Sequence, residues 1–197
     1  MSKLITAWLR LFARFFDNIW WPWWSNTHWN SSKEDDLPIA DEDIVTGVVS
    51  LRRECMRLYE KFSWTGDGIE ELFDSILPPP QAYRKSLAGQ IVDDCDGFHS
   101  VVYHVLSKSG FESYLLTAHT RSVSHCALLC KIDEMWHVCD YFTVYPGFET
   151  AAEAIEDYNK NFVEVYQAKG EVFYNALIKY NYNKGKLRST SLEEIDA

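Results

Sequence analysis

The chain lacks several features that define common functional classes. Its 197 residues contain no glycine-rich phosphate-binding loop, no Cys-x-x-Cys pair and no internal repeat. Five cysteines are an odd number without the density of a disulfide scaffold, which is typical of a reducing compartment. Basic residues are scarce: 19 against 29 acidic ones give a net charge of −10, which disfavours binding to nucleic acid phosphates. We therefore expect no disulfide framework and no nucleic acid partner.

The chain also lacks an uninterrupted apolar run that could serve as a secretion signal or a membrane span. Arg10 and Arg14 interrupt the apolar N-terminal stretch, and no small-residue cleavage site follows it. We expect a cytoplasmic protein, either soluble or peripherally bound at a membrane.

The N-terminal segment, residues 1–30, differs from the remainder in composition. It holds six of the eight tryptophans, and residues 1–33 carry a charge of +3, which leaves −13 on the other 164 residues. Its apolar residues recur at helical spacing: Leu4, Trp8, Leu11, Phe12, Phe15 and Ile19. A basic, tryptophan-rich amphipathic helix suits a membrane interface or a groove on a protein partner. Such an aromatic stripe is equally typical of a helix packed on the protein's own core.

Composition then divides the rest of the chain. Residues 31–43 are acidic and polar, and we interpret them as a linker. The main domain is expected over residues 44–183, followed by a polar C-terminal tail at residues 184–197.

Two helices in this domain have recognisable caps. Asp41 is expected to cap a helix with an apolar stripe that starts at Ile44. Thr150 is expected to cap a second helix that ends near Tyr158, and residues 161–168 are expected to form a strand.

A cysteine stands at the start of a third amphipathic stretch. Asp93 or Asp94 is a suitable N-cap, which would place Cys95 in the first helical turn. The buried face would consist of Phe98, Val101, Val102, Val105 and Leu106. Unpaired N–H groups and the helix dipole favour a thiolate there, whereas the neighbouring carboxylates, including that of Asp96, would raise the thiol pKa. The prediction of a reactive thiol therefore requires at least one of these carboxylates to act as a cap or to turn away.

A histidine and an aspartate follow on two predicted strands. Residues 122–132 and 135–142 favour an antiparallel hairpin, with a turn at residues 132–134. A hairpin in which paired residue numbers sum to 265 would place His125 directly opposite Asp140, and a shift of two would place them diagonally. Both residues fall on one face in either register.

These elements predict an α+β fold. With a further strand at residues 111–118, the helix of Cys95 would pack against a small antiparallel sheet of three strands. Cys95, His125 and Asp140 then suit the roles of nucleophile, general base and orienter of that base.

These residues resemble the transglutaminase-like cysteine peptidase superfamily, which has a papain-like core. The resemblance lies in the nucleophile turn Asp94-Cys95-Asp96-Gly97-Phe98 and in the strands that carry His125-Cys126-Ala127 and Trp136-His137-Val138-Cys139-Asp140, and it spans residues 84–142. It implies a thiol hydrolase or acyltransferase that cleaves an amide of a protein or peptide through an acyl-enzyme. It also implies that Gln90 helps to bind the oxyanion.

Other interpretations of the same residues remain open. The alternative to an enzyme is an inactive binding or scaffold member of the fold, tethered to a membrane surface or a protein partner through residues 1–30. His125, Cys126, Cys130, His137 and Cys139 are zinc-binding residue types, but their alternation on two strand faces disfavours a metal site. We expect no metal and no cofactor.

Two further sets of residues have weaker interpretations. Trp64 is a candidate substrate contact, with core packing as its alternative. We interpret the remaining histidines with no evident partner as surface or packing residues: His28, His99, His104 and His119.

Overall fold

A computed structural model describes residues 3–28, 37–65, 76–89 and 91–195. The helices are α1 (Lys3–Phe15), α2 (Trp21–His28), α3 (Val48–Tyr59), α4 (Pro79–Ser86), α5 (Cys95–Lys108), α6 (Ala151–Val165) and α7 (Leu192–Ile195). A π-helical turn covers Phe16–Trp20 and a 3-10 turn covers Asp41–Asp43. The strands are β1 (Phe62–Trp64), β2 (Ile91–Asp93), β3 (Glu112–His119), β4 (Ser124–Ile132), β5 (Met135–Asp140), β6 (Thr143–Val144), β7 (Tyr174–Asn181) and β8 (Lys186–Thr190).

Strands β3 to β8 form one antiparallel sheet in the order β6-β5-β4-β3-β7-β8. Strands β1 and β2 form a separate parallel pair. The α+β class and the antiparallel pairing of the three predicted strands are confirmed. The sheet is larger than predicted, because β7 and β8 extend it beyond β3 and β6 pairs with β5.

The central strands are buried on both faces, because successive residues of a strand point to opposite sides. Leu115 and Leu128 belong to the core cluster shared with α5, whereas Leu116 and Leu129 belong to the cluster shared with α6. The apolar stripe predicted for α5 is confirmed, since every one of its five members is fully buried. Burial of each such side chain stabilises the fold by about 1.5–3 kcal/mol.

The helix predicted after Asp41 begins later than expected. Asp43 is buried, where its carboxylate binds Arg57 at 2.6 Å and accepts a hydrogen bond from the Tyr83 hydroxyl at 2.6 Å. The acidic turn therefore contributes tertiary contacts and does not cap the following helix. Helix α3 starts only at Val48, after Gly47 has exchanged hydrogen bonds with the Ser50 hydroxyl.

The C-terminal third also differs from the prediction. The cap at Thr150 is confirmed, but α6 continues to Val165, so the strand predicted at residues 161–168 is wrong. Phe162 extends the buried face of α6, which is why the helix persists. The polar tail predicted from residue 184 is wrong for β8, which pairs with β7 along its whole length and buries Leu187.

The N-terminal residues 3–28 are helical without interruption. The π-helical turn ends just before Trp21, whose N–H donates to the Phe16 carbonyl, and Pro22 follows in α2. Proline lacks an N–H and clashes with the carbonyl four residues earlier, so a locally wider turn is a reasonable adjustment. None of the described helices is long and apolar enough to cross a membrane. Residues 31–36 of the predicted linker lie outside the described residues.

Candidate active site

Cys95 is the first residue of α5 and is partly exposed. The predicted cap is confirmed: the Asp94 carboxylate accepts the backbone N–H of Asp96 at 3.1 Å. The backbone N–H of Cys126 donates to the Cys95 sulfur at 3.4 Å. A backbone donor and a helix N-terminus both favour the charged form of the sulfur.

Two of the three carboxylates near the sulfur accept hydrogen bonds from local backbone N–H groups. Asp94 is the N-cap, and one oxygen of Asp93 accepts the N–H of Asp94 at 3.0 Å. Asp96 is buried. The condition that at least one carboxylate act as a cap is therefore met.

His125 and Asp140 lie on neighbouring strands at one end of the sheet, where β4 begins and β5 ends. The Nε2 atom of His125 donates to Oδ1 of Asp140 at 2.8 Å. Both side chains are almost fully buried, at 7% and 6% exposure. With Nε2 bound to a carboxylate, Nδ1 is the ring nitrogen left for proton exchange.

The register of this hairpin differs from the one first expected. Residue pairs sum to 267, as in Leu128 with Cys139, so Asp140 lies diagonal to His125 rather than opposite it. Asp133 and Glu134 both have positive φ and form a two-residue turn between Ile132 and Met135. Two-residue turns of this handedness match the twist of the strands, which explains why the hairpin centre lies one position later.

Tyr158 of α6 and Tyr166, the residue that follows this helix, complete the carboxylate's surroundings. The Tyr166 hydroxyl donates to the Asp140 carboxylate at 3.0 Å and lies 3.1 Å from Nε2 of His125. The Tyr158 hydroxyl donates to Oδ2 of Asp140 at 3.2 Å. Phe162, between them on the helix, stacks on the His125 ring at 5.9 Å between centroids.

These contacts control the charge on Asp140. Burial alone would raise the pKa of this carboxyl. The hydrogen bond and charge of His125 and the hydrogen bond from Tyr166 outweigh that effect and lower the pKa of Asp140 below its usual value. Asp140 is therefore an anion that orients His125 and would stabilise its protonated form.

His99 is a fixed neutral member of the site. It is fully buried, its Nδ1 donates to the Cys95 carbonyl at 2.6 Å, and its Nε2 accepts the N–H of Tyr141 at 3.0 Å. Burial lowers the pKa of His99 to about 4, although the Asp140 charge opposes this shift. His99 thus ties the tip of α5 to the end of β5.

The site's tyrosines remain protonated near neutral pH. Burial is the main cause that raises the pKa of both Tyr141 and Tyr166 far above the usual value. Negative charge on Cys95 and Asp140 raises both pKa values further, which indicates how close these groups lie.

The other two predicted site residues have different outcomes. Gln90 lies outside the described residues. Trp64 is two-thirds exposed and pairs with Asp93, which lies two positions before Cys95 at the end of the strand that precedes α5. An exposed ring at this position leaves the core-packing interpretation without support.

The candidate zinc residues serve other contacts. Cys139 lies opposite Leu128, and hydrogen bonds with Cys130 and Cys55, together with burial, raise the pKa of its thiol. His137 donates from Nδ1 to the Tyr145 carbonyl at 3.0 Å. Within the described residues, no group of three or more His, Cys, Asp or Glu side chains is arranged to hold a metal ion.

Sequence reasoning missed Tyr158, Tyr166 and His99 as members of the site. Tyr158, Phe162 and Tyr166 follow one another at intervals of four, which is a helical stripe. The wrong strand prediction at residues 161–168 concealed it. His99 is one turn after Cys95, but only the fold brings Tyr141 to it.

Comparison with known proteins assigns no family, because no protein-family model and no curated protein matches this chain.

Proposed function

We propose that the chain is a thiol-dependent amide hydrolase or acyltransferase that acts through Cys95, His125 and Asp140. Its substrate would be an amide of a protein or peptide, and its core would be of the transglutaminase-like, papain-like kind. The observation that carries the proposal is the meeting of these groups at one end of the sheet. The residue after His125 donates its N–H to the Cys95 sulfur, and His125 is held by Asp140 at 2.8 Å.

The chemistry follows from the donors and acceptors present. Nδ1 of His125 would take the thiol proton of Cys95, and the thiolate would attack the amide carbonyl. Collapse of the tetrahedral adduct would break the C–N bond, while the imidazolium returns its proton to the departing nitrogen. Water or an amine would then attack the thioester and release Cys95.

The developing oxyanion needs hydrogen-bond donors near the sulfur. The N-terminal turn of α5 offers backbone N–H groups at the end of a 14-residue helix. Gln90, five residues before Cys95, remains a prediction for a side-chain donor.

Alkylation with iodoacetamide tests the nucleophile directly. Cys95 should react stoichiometrically near neutral pH, and faster than an ordinary thiol with a pKa of about 8.5, because the imidazolium stabilises the thiolate. His125→Ala should remove this advantage, and Cys95→Ala should abolish the labelling. Cys55→Ala is the matched control, since Cys55 is fully buried in the core.

Product analysis after turnover would show whether water or an amine accepts the acyl group. Release of the acyl group as a free carboxylic acid would indicate hydrolysis, whereas its incorporation into an amide with a fluorescent primary amine would indicate transfer. A Cys95 alkylation rate no greater than that of a model thiol, with a flat pH profile, would contradict the proposal.

One observation favours the alternative of an inactive scaffold. The N-terminal segment exposes large apolar side chains, including Trp8 at 67%, which suits a tethered binding module. An unreactive Cys95 in a stable, correctly folded chain would support this alternative.

A further inference from the structure

The N-terminal helices face the sheet with their polar side. Asp17 is fully buried and accepts hydrogen bonds from Thr117 at 2.6 Å and from Nε2 of His119 at 2.7 Å. Further along, Asn26 exchanges two 2.9 Å hydrogen bonds with the backbone of Leu187 in β8. Polar groups therefore attach residues 3–28 to the sheet.

The apolar side of the same helices faces solvent. Eight large side chains, each 49–71% exposed, form what we call the apolar strip: Leu4, Ile5, Trp8, Leu11, Phe12, Phe15, Ile19 and Trp23. At 1.5 Å per residue the strip is roughly 30 Å long.

This arrangement is the reverse of an ordinary surface helix, which turns its apolar stripe to the core and its polar face to water. Soluble monomers rarely expose contiguous apolar patches beyond a few hundred Å². The polar anchors at Asp17 and Asn26 fix the orientation, so the strip cannot rotate inward without breaking buried hydrogen bonds. The strip is therefore suited to contact an apolar environment outside the protein.

The shape of the strip favours a flat partner over a groove. A groove that binds an amphipathic helix encloses much of its circumference. Here the opposite side of the segment is already bound to the protein. Arg10 donates to the carbonyl of Phe173, just before β7, at 3.0 Å, and Asn26 binds Leu187 in β8. Only a shallow surface can cover what remains, and two tryptophans on the strip suit the boundary between lipid headgroups and acyl chains.

The charges identify the headgroups. The acidic residue of the segment, Asp17, is turned into the protein, whereas Arg14 is exposed. Arg10 is also exposed, although its Nε donates to the Phe173 carbonyl. The other 164 residues of the chain, from residue 34 onward, carry −13. An anionic surface would attract the segment and repel the remainder, which orients the molecule with its N-terminal helices on that surface.

We propose that the apolar strip is a peripheral membrane-binding surface that lies in the interface of a phospholipid bilayer with anionic headgroups. The segment rests on the bilayer plane with the strip immersed among the headgroups and upper acyl chains. This proposal does not depend on chemistry at Cys95.

Vesicle flotation tests it with the full-length chain. The protein should float with vesicles of phosphatidylcholine and phosphatidylserine in a three-to-one mixture, and more weakly with phosphatidylcholine alone. The double variant Trp8→Ser, Phe12→Ser should bind at least about tenfold more weakly, because it removes two large groups from the immersed face. Its matched control is Val49→Ser, Met56→Ser, which changes two exposed apolar residues of α3 and should bind as the unaltered chain does.

A second pair of variants tests the electrostatic contribution to vesicle binding. Arg14→Gln should weaken binding to the anionic vesicles about fivefold, as expected for one basic residue at such a surface. Lys160→Gln removes an exposed cation of α6 and should leave binding unchanged. Circular dichroism and thermal melting verify that each variant is folded.

Three outcomes would overturn the proposal. One is equal binding by the double variant and its control. Another is a complete lack of flotation by the folded, unaltered chain. The third is a concentration-dependent dimer in sedimentation velocity that Trp8→Ser, Phe12→Ser abolishes without any vesicle binding, since the strip would then join two copies. Cys95→Ala should float normally, so failure of the enzymatic proposal leaves this test intact.

Discussion

The Asp140 carboxylate receives more hydrogen bonds than any simple histidine-orienting role requires. His125, Tyr158 and Tyr166 all donate to it, at 2.8, 3.2 and 3.0 Å. Hydrogen bonds to a charged group contribute about 1.5–3 kcal/mol each. Together they keep a buried carboxylate ionised and hold the imidazole in one orientation.

Removal of one of these donors should lower the reactivity of Cys95. Tyr166→Phe keeps the ring but deletes the hydroxyl that bridges Asp140 and His125. We expect the alkylation rate at neutral pH to fall roughly tenfold, the size of one charge-assisted hydrogen bond, and the pH profile to shift. The measurement is the iodoacetamide rate from pH 5 to pH 9.

Tyr83→Phe is the matched control for that variant. Its hydroxyl binds the Asp43 carboxylate at 2.6 Å, away from Cys95. It should cost stability and leave the alkylation profile unchanged. Equal profiles for Tyr166→Phe and the unaltered chain would show that Tyr166 only packs.

The neutral, buried His99 should make folding stability depend on pH. Its pKa is lowered to about 4 in the folded state from 6.5 in the unfolded chain, so the unfolded chain binds the proton first as pH falls. The contribution of His99 to the free energy of unfolding should be fully present above pH 6.5. It should be lost between pH 6.5 and pH 4, a decrease of roughly 3 kcal/mol in total. Asp140, with a pKa below 3.8, contributes its own loss only at lower pH.

Urea unfolding at a series of pH values measures this dependence. His99→Gln should be less stable at pH 7, because it disturbs the bonds to Cys95 and Tyr141, and should show a flatter slope between pH 4 and pH 6.5. An unchanged slope in this variant would assign the pH dependence to other groups.

Among the elements, the first turn of α5 is built around a close approach of side chain and backbone. A β carbon at Gly97 would lie 2.2 Å from Cγ and 2.6 Å from Cβ of Asp93. These atoms are near the Asp93 backbone and cannot swing aside cheaply. Glycine at this position therefore lets Asp93 fold over the turn that carries Cys95.

Gly97→Ala should destabilise the protein, although alanine ordinarily stabilises a helix by about 1 kcal/mol. The clash with Asp93 should cost about 1–3 kcal/mol and displace the turn, so the Cys95 alkylation rate should fall as well. Thermal melting and the alkylation assay measure the two effects. Gly47→Ala is the control, since its nearest neighbour would be 3.8 Å away in extended backbone.

In the molecule as a whole, the N-terminal segment is part of the fold and also presents an outward surface. Asp17 accepts hydrogen bonds from Thr117 and His119 of β3, which lie 100 and 102 residues later in the sequence. Arg10 and Asn26 add contacts to the chain around β7 and β8. Binding of a surface by the apolar strip would therefore also fix the orientation of the sheet relative to that surface.

Asp17→Ala should lower the free energy of unfolding by about 2 kcal/mol or more, because two hydrogen bonds to a buried carboxylate are lost. Chemical denaturation measures this change. Glu156→Ala, which breaks an exposed ion pair with Lys160, should leave stability essentially unchanged, because solvent screens such pairs. A stability equal to that of the unaltered chain would mean that the segment is only loosely attached.

The sequence by itself determined the elements whose patterns are local. The cap at Asp94, the buried stripe of α5 and the shared face of His125 and Asp140 follow from helical and strand periodicity, and the structure has all three. Periodicity is a property of neighbouring residues, so it can be recognised without knowledge of the fold.

Only the tertiary structure decided the register of the hairpin, the continuation of α6 to Val165 and the pairing of β8. It also decided which side of the N-terminal helix meets the sheet, because that choice depends on Asp17 meeting partners a hundred residues away. An amphipathic pattern specifies that a helix has two faces. Which face binds the protein and which meets its surroundings depends on hydrogen bonds between distant parts of the chain, and these form only when the chain is folded.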